Sequence, residues 1–284
     1  MNNNKTLNQA KINLCDEFYT KREFIEKELN HYTEQFKNQV IYLNCDNPLK
    51  SKFWQYFYDN FEEFGLKKLI SSHYCEQGSF SMSYDGKSEQ VKILKNGSFN
   101  SLECLELLET ADIVITNPPF SKFREFFKTI MFLQKRFLIL GSIHMLSYKE
   151  AFTWYKMGLF NFGYNFNLNV KFDTPYYDKK EIALGGILWL TNLKIQNNSK
   201  ELEFIDFDEN LHKQYDNYEA ININSIKEIP KDYKGKMGVP ITFLKYHNPA
   251  EFKIIGADYE LVKETRFYLN NKKIYARIVI QRVC

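Results

Sequence analysis

The chain lacks several features that would assign it to a class at sight. No G-x-G-x-x-G loop follows its first apolar run. That argues against a dehydrogenase-like dinucleotide binder, because those glycines let the backbone close on a pyrophosphate. Five cysteines, Cys15, Cys45, Cys75, Cys104 and Cys284, are odd in number and scattered without metal-ligand spacing. This argues against a disulfide scaffold and a metal site, and for a reducing compartment. The longest apolar runs, near residues 137–146 and 182–190, are far short of the ~20 residues a membrane-spanning helix needs. Met-Asn-Asn-Asn-Lys at the start carries no apolar stretch of a secretion signal. The expectation is a soluble, cytoplasmic protein with no membrane partner and no metal.

Charge of one sign is not in excess overall, since 38 Lys and Arg face 35 Asp and Glu for a net +3. Its distribution is uneven. Residues 225–284 hold twelve Lys or Arg against six Asp or Glu, so this stretch is +6 and the remainder −3. A basic C-terminal segment suits phosphate contact, although a solvated Lys-rich surface looks the same. With 284 residues, 44% hydrophobic and 17% aromatic, the chain is large enough for one big domain or two modest ones. The polar, aperiodic Asn197-Asn198-Ser199-Lys200 offers the best boundary, dividing residues 1–198 from 199–284.

The stretch Ala111-Asp112-Ile113-Val114-Ile115-Thr116-Asn117-Pro118-Pro119-Phe120 organises the rest. Ile113–Ile115 is a β-branched run typical of a buried parallel strand, and two prolines cannot continue a sheet ladder. Ser121 is a candidate N-cap for a helix carrying Phe123, Phe126, Phe127, Ile130 and Met131 at near-helical spacing. An Asn at the carboxyl end of such a strand stands where open α/β sheets bind ligands. One amide oxygen, one fixed carbonyl and one flat ring suit a planar base with an exocyclic NH2. Asn117, Pro118, Pro119 and Phe120 are therefore the candidate catalytic residues, with a plain Pro-Pro turn as the alternative.

Taken in order, Thr20 and Glu23 form a capping-box pattern before a helix through Phe24, Ile25, Leu29, Tyr32 and Phe36. Val40–Leu43 reads as the first buried strand, Ser51–Phe64 as a helix ended by Gly65, and Lys68–Tyr74 as the next strand. Such a unit is a right-handed crossover. Asn44-Cys45-Asp46-Asn47-Pro48 stands in place of a glycine loop, and Asp46 could take an amine or hydroxyls. His73 and Tyr74 occupy the place of the acid that normally holds a ribose. Ser79–Tyr84 and Gln90–Leu94 alternate as a hairpin around Asp85-Gly86. A helix over Ser101–Glu109 follows, then a strand at Arg136–Ser142, a helix at Tyr148–Met157, and Phe160–Phe172 with Ile182–Leu190 as an antiparallel pair finishing the sheet. Near the C-terminus, Phe267–Leu269 and Ile274–Ile280 flank Asn270-Asn271-Lys272-Lys273 as a basic hairpin.

Asn117-Pro118-Pro119-Phe120 looks like the Asn-Pro-Pro-aromatic signature of amino-group methyltransferases. With Phe18-Tyr19-Thr20, Asn44–Pro48, Gly65–Ile70 and Met237–Leu244 in this order, nearly the whole chain resembles the EcoRI-type adenine-specific DNA methyltransferase family. The resemblance implies an α/β, Rossmann-like methyltransferase fold with a mainly parallel sheet, plus a smaller C-terminal DNA-recognition region. It implies S-adenosylmethionine as donor and adenine N6 of double-stranded DNA, flipped out of the stack, as acceptor. Phe18, Tyr19, Thr20, Asn44, Cys45, Asp46, Pro48, Phe99 and Asn117 are then the cofactor-binding candidates. Lys231, Lys234, Lys236, Lys272 and Lys273 are the DNA-binding ones. Where relatives carry an acid before the aromatic, Ser98 stands here, which leaves Phe99 to stack on the donor's adenine. Direct transfer needs no covalent intermediate, and neither Cys45 nor Cys104 follows a proline as in cytosine-C5 enzymes. A monomer is expected, and whether a cognate restriction endonuclease acts on the same site is left open. The rivals are an RNA or protein-glutamine methyltransferase and a catalytically silent DNA-binding remnant.

Overall fold

The structure, a computed structural model, describes residues 18–165, 169–173, 181–196, 202–262, 266–274 and 276–283. Cys15, Cys284 and the expected boundary at 197–200 lie outside the described residues. The chain divides into two compact units. The first runs to Met145 and resumes over Gly158–Ile195, and the second takes Leu146–Met157 and the chain from Gln196 onward.

The first unit begins with β1 (Tyr19–Thr20), α1 (Arg22–Leu29), α2 (Thr33–Phe36), β2 (Val40–Leu43) and α3 (Lys52–Asp59). Next come β3 (Lys68–His73), β4 (Ser79–Tyr84), β5 (Glu89–Leu94), α4 (Leu102–Thr110), β6 (Ile113–Thr116) and α5 (Phe123–Phe132). It closes with β7 (Arg136–Ser142), β8 (Asn161–Phe162), β9 (Asn169–Asp173), β10 (Glu181–Gly185) and β11 (Ile187–Thr191). Eight strands form the central sheet in the order β5-β4-β3-β2-β6-β7-β11-β8. Its middle, β3-β2-β6-β7, is parallel, and the flanking strands are antiparallel.

The sequence accounts for this arrangement. β2 (Val-Ile-Tyr-Leu) and β6 (Ile-Val-Ile-Thr) are buried at every position, as parallel strands covered on both faces must be. The Ser51 hydroxyl accepts from the N–H groups of Phe53 and Trp54 at 3.0 and 3.4 Å, and α3 buries Phe53, Trp54, Tyr56 and Phe57. The Asp112 carboxylate accepts from Val40 N at 2.7 Å, which pins the start of β6 to β2. From β2 the chain crosses through α3 to β3 on one side, and from β6 through α5 to β7 on the other. The order therefore reverses between β2 and β6, and the crevice beyond their carboxyl ends is where a doubly wound sheet binds its ligand.

Four local expectations are corrected. Thr20 does not cap α1, because it belongs to β1 and pairs with Phe172. The helix instead starts after Lys21, which makes no side-chain cap. Ser121 lies within a short 3-10 turn, Phe120–Lys122, and α5 begins at Phe123. The helix expected over residues 51–64 stops at Asp59, where the Asn60 side chain bonds the Tyr56 carbonyl at 2.7 Å. Finally, 160–172 and 182–190 are not one pair. β8 joins β11 in the central sheet, whereas β9 pairs with β10 and with β1 in a separate three-stranded sheet. The chain changes sheet at Gly186, whose φ of +77° a residue with a Cβ would resist.

The second unit contains α6 (Lys149–Lys156), β12 (Ile221–Asn222), β13 (Met237–Pro240), β14 (Phe252–Ala257) and α7 (Asp258–Leu261). β15 (Tyr268–Leu269), β16 (Lys272–Lys273) and β17 (Arg277–Arg282) complete it. A four-stranded sheet, β12-β13-β17-β14, carries the buried Met237, Val239, Ile278, Val279 and Ile280. α6 belongs here through the Tyr155 hydroxyl on the Leu244 carbonyl at 2.9 Å and the Lys156–Glu260 ion pair at 2.9 Å. No helix of the described residues is long and apolar enough to cross a membrane.

Candidate active site

At the end of β2 the chain turns through Cys45, which holds a left-handed φ of +64°. A glycine would adopt that conformation freely, so the missing glycine loop is replaced by a cysteine forced into the same shape. Two buried serines of β3 fix the turn. Ser71 donates to the Asp46 carbonyl at 2.6 Å, Asp46 N donates to the Ser72 carbonyl at 2.9 Å, and the Ser72 hydroxyl reaches Asn44 Oδ1 at 3.3 Å. From β6 the Thr116 hydroxyl donates to the Asn44 carbonyl. The result is a rigid shelf on which Asp46 is 9% exposed. Burial pushes its carboxyl up to about 7, opposed only by a hydrogen bond with Ser51.

Asn117 begins the turn after β6. Its side-chain Nδ2 donates to the Phe18 carbonyl at 2.7 Å, which fixes the amide. Oδ1 is buried and has no hydrogen-bond partner within the chain. The Thr20 hydroxyl, one oxygen of Asp46 and the Asn44 amide nitrogen are in the same condition, so four of the eight such atoms among the described residues gather here. An unpaired buried polar atom costs about 1–3 kcal/mol. Three of the four, on Thr20, Asp46 and Asn117, belong to residues that line one cavity, which fits a polar ligand better than a packing fault.

Around them lies a cavity of about 600 Å³, within the range of small-ligand sites. It brings together Phe18, Tyr19, Thr20, Cys45, Asp46, Phe99, Asn117 and Pro119 of the predicted residues. Asn44 stands behind the shelf, and Pro48, Pro118 and Phe120 are buried outside the lining. The Phe120 ring packs on Phe18 at 5.7 Å and on Phe172 at 6.2 Å. Phe99 is 3% exposed, with its ring edge-on to Phe126 at 5.4 Å. His73 and Tyr74 do line the cavity.

Sequence reasoning missed Ser51, Lys52, Glu76, Gln77, Gly97 and Lys122, which also line it. Glu76 and Gln77 come just past the end of β3, after Tyr74 and Cys75, and the rule that ligands gather beyond strand ends could have found them. Gly97 passes so close to β3 that a Cβ there would meet the His73 carbonyl at 2.3 Å. The bare glycine gave no such signal in the sequence.

The family described as adenine-specific methyltransferase EcoRI has a sequence model that matches residues 6–93 and 83–282. The chain belongs to the EcoRI adenine-specific methyltransferase family. The Escherichia coli Type II methyltransferase M.EcoRI is 38% identical over 315 residues, covering 98% of this chain and 96% of its own. The Mycoplasma genitalium Type II methyltransferase M.MgeORF184P is 35% identical, with 97% and 98% covered. M.MpnI of Mycoplasma pneumoniae is 34% identical, with 97% of each chain covered. No solved structure matches the chain. As a member of the EcoRI family the protein is a site-specific adenine methyltransferase of DNA.

The lysines expected to meet DNA are all in the second unit. Lys231 is paired with Asp206 at 2.5 Å, so its charge is already answered. The ammonium of Lys236 lies 5.4 Å from the Tyr218 ring centroid. Lys234, Lys272 and Lys273 are exposed.

Proposed function

We propose that this EcoRI-family enzyme transfers a methyl group from S-adenosylmethionine to N6 of an adenine flipped out of duplex DNA, as the modification half of a restriction–modification pair. The observation that carries the reading is the fixed Asn117 amide, whose Nδ2 is held by the Phe18 carbonyl while Oδ1 is buried and unpaired. An adenine amine is a poor nucleophile because its lone pair is delocalised into the ring. Asn117 Oδ1 accepting one amino hydrogen and the Pro118 carbonyl the other would favour a pyramidal nitrogen with a localised pair. Positioning and electrostatics then supply most of the acceleration. The donor brings an electrophilic methyl on a sulfonium sulfur. Asp46 and Thr20, each with an unpaired buried oxygen, fit its amine or hydroxyls. Phe99 offers a ring to its adenine. Phe120, at 8% exposure, can hold the extruded base only if Phe18 or Phe172 moves off its face.

The test is to sequence DNA for N6-methyladenine from cells expressing the wild type or Asn117→Ala, with donor binding measured by calorimetry on both proteins. The expected result is one methylated motif in the wild type and none in the variant, whose donor affinity stays within a few-fold. Methyl groups found on RNA or peptide but not on duplex DNA would overturn the reading.

A further inference from the structure

The β15–β16 hairpin is held from outside at three levels. At the tip, Asn270 and Asn271 both take left-handed conformations, φ +51° and +59°, the shape of a tight two-residue hairpin turn. The Asp216 carboxylate clamps them, accepting from Asn270 N at 3.2 Å and from Asn271 N at 2.8 Å. At the waist, Asn217 accepts from Tyr268 N at 3.0 Å and donates to the Arg266 carbonyl at 3.0 Å. At the root, the fully buried Phe267 is sandwiched between the rings of Tyr215 at 4.5 Å and Tyr218 at 5.0 Å.

Asn-Asn alone would make an adequate turn. A carboxylate and an amide brought from 49 to 55 residues earlier add rigidity that a bare connection does not need. The rigidity serves what the tip presents. Asn270, Asn271, Lys272 and Lys273 are exposed, and among the described residues no hydrogen bond engages either Asn side-chain amide.

We propose that this hairpin is a preorganised reader of the DNA major groove, in which Asn270 and Asn271 contact base edges and Asp216 is their positioning residue. The inference rests on DNA being the substrate. A two-stranded ribbon fits the major groove, about 12 Å wide, and an Asn amide pairs in bidentate fashion with the N6 and N7 edge of adenine. Lys272 and Lys273 suit the adjoining phosphates, which orient a protein on the duplex without reading its sequence.

The decisive variant is the full-length double substitution Asn270→Gly and Asn271→Gly. Glycine adopts both left-handed conformations freely, so the turn survives while the reading groups are lost. Wild type and variant are each used to select duplexes from a random-sequence pool, a readout that requires no methyl transfer. The wild type is expected to enrich a motif. In the variant, discrimination should fall about 10- to 100-fold at one or two positions, with affinity for random duplex unchanged within about twofold. Asp216→Ala should relax the same positions to a smaller degree, and Asp216→Asn, which keeps one acceptor, should restore part of the loss. An unchanged motif in the double-glycine variant, or a wild type that enriches none, overturns the proposal. A wild type that enriches a motif altered by the variant, yet leaves no N6-methyladenine in cells, overturns the proposed activity and leaves the hairpin assignment standing.

Discussion

Replacing Asp46 with Asn should make the donor-free protein more stable while disabling it. The carboxyl of Asp46 ordinarily titrates at 3.8, and in the fold burial raises it to about 7. A raised acid leaves the folded chain holding a proton that the unfolded chain has released. Its contribution to stability is therefore intact below about pH 4 and lost progressively as pH rises to about 7. At 1.36 kcal/mol per unit, the shift from 3.8 to about 7 amounts to about 4 kcal/mol of lost stability at and above neutral pH. Asn has nearly the same shape and does not ionise, so it removes this penalty. Urea denaturation of wild type and Asp46→Asn without donor, from pH 4 to pH 8, reads the difference directly. The two curves should coincide near pH 4, diverge in favour of the variant up to pH 7, and then run parallel. Calorimetry with S-adenosylmethionine should show the opposite ranking, with wild-type affinity climbing as Asp46 ionises and the variant binding weakly at every pH. A stability difference that stays flat from pH 4 to pH 7 would refute the buried carboxylate. Unaltered donor affinity in the variant would move the donor's polar contacts to other lining residues such as His73 or Glu76.

Phe120→Ala should cost about 3–5 kcal/mol of stability, since its ring fills core space between Phe18 and Phe172. Phe120→Tyr should keep methyl transfer at a temperature where both variants are folded, and a Tyr variant as inactive as Ala would end the base-holding role. Gly97→Ala should lower both the melting temperature and donor affinity, because its Cβ would meet the His73 carbonyl at 2.3 Å and the Ser79 Cβ at 2.8 Å; unchanged calorimetry would count against the close approach. Changing Lys234, Lys236 and Lys272 to Gln should each flatten the slope of log affinity against log salt by about 0.9 if each meets one phosphate. Lys231→Gln should change it least, since Asp206 already accompanies that charge.

What could be read from the sequence was whatever depends on neighbours along the chain. β2, β6 and β7 are apolar runs bounded by turn residues, and each stands where its run does. The Asp85-Gly86 hairpin and the helix starts at Ser51 and Ser101 are equally local. Two of the misreadings, Thr20 and the 160–172 with 182–190 pair, arose where distant segments compete for the same residue. Thr20 followed by Glu23 is a sound capping box, but pairing with Phe172 took Thr20 into a strand. Nothing around Lys149–Lys156 says that Tyr155 and Lys156 will bond Leu244 and Glu260. A truncation near Asn198 would therefore strip α6 of its partners. Asn117 and Asp46 were legible as cavity-lining residues because strand ends are. Ser71 and Ser72 were not legible, since buried serines in a strand show their purpose only once the loop they hold lies beside them.

Gly186 gives the cavity proposed to hold the donor a dependence that its lining residues do not reveal. Thr20, in the cavity wall, belongs to β1, which hangs on β9 and β10, and β10 runs through Gly186 into β11 beside β7. Wall and central sheet are thus one continuous piece of chain joined at a residue that needs a positive φ. A side chain at that joint would tilt the wall without altering any group that lines the cavity. Drift at a position remote from the Asn-Pro-Pro-Phe signature could in this way reset how long the donor stays bound, and with it the pace of the enzyme, while every residue of the site remained the same.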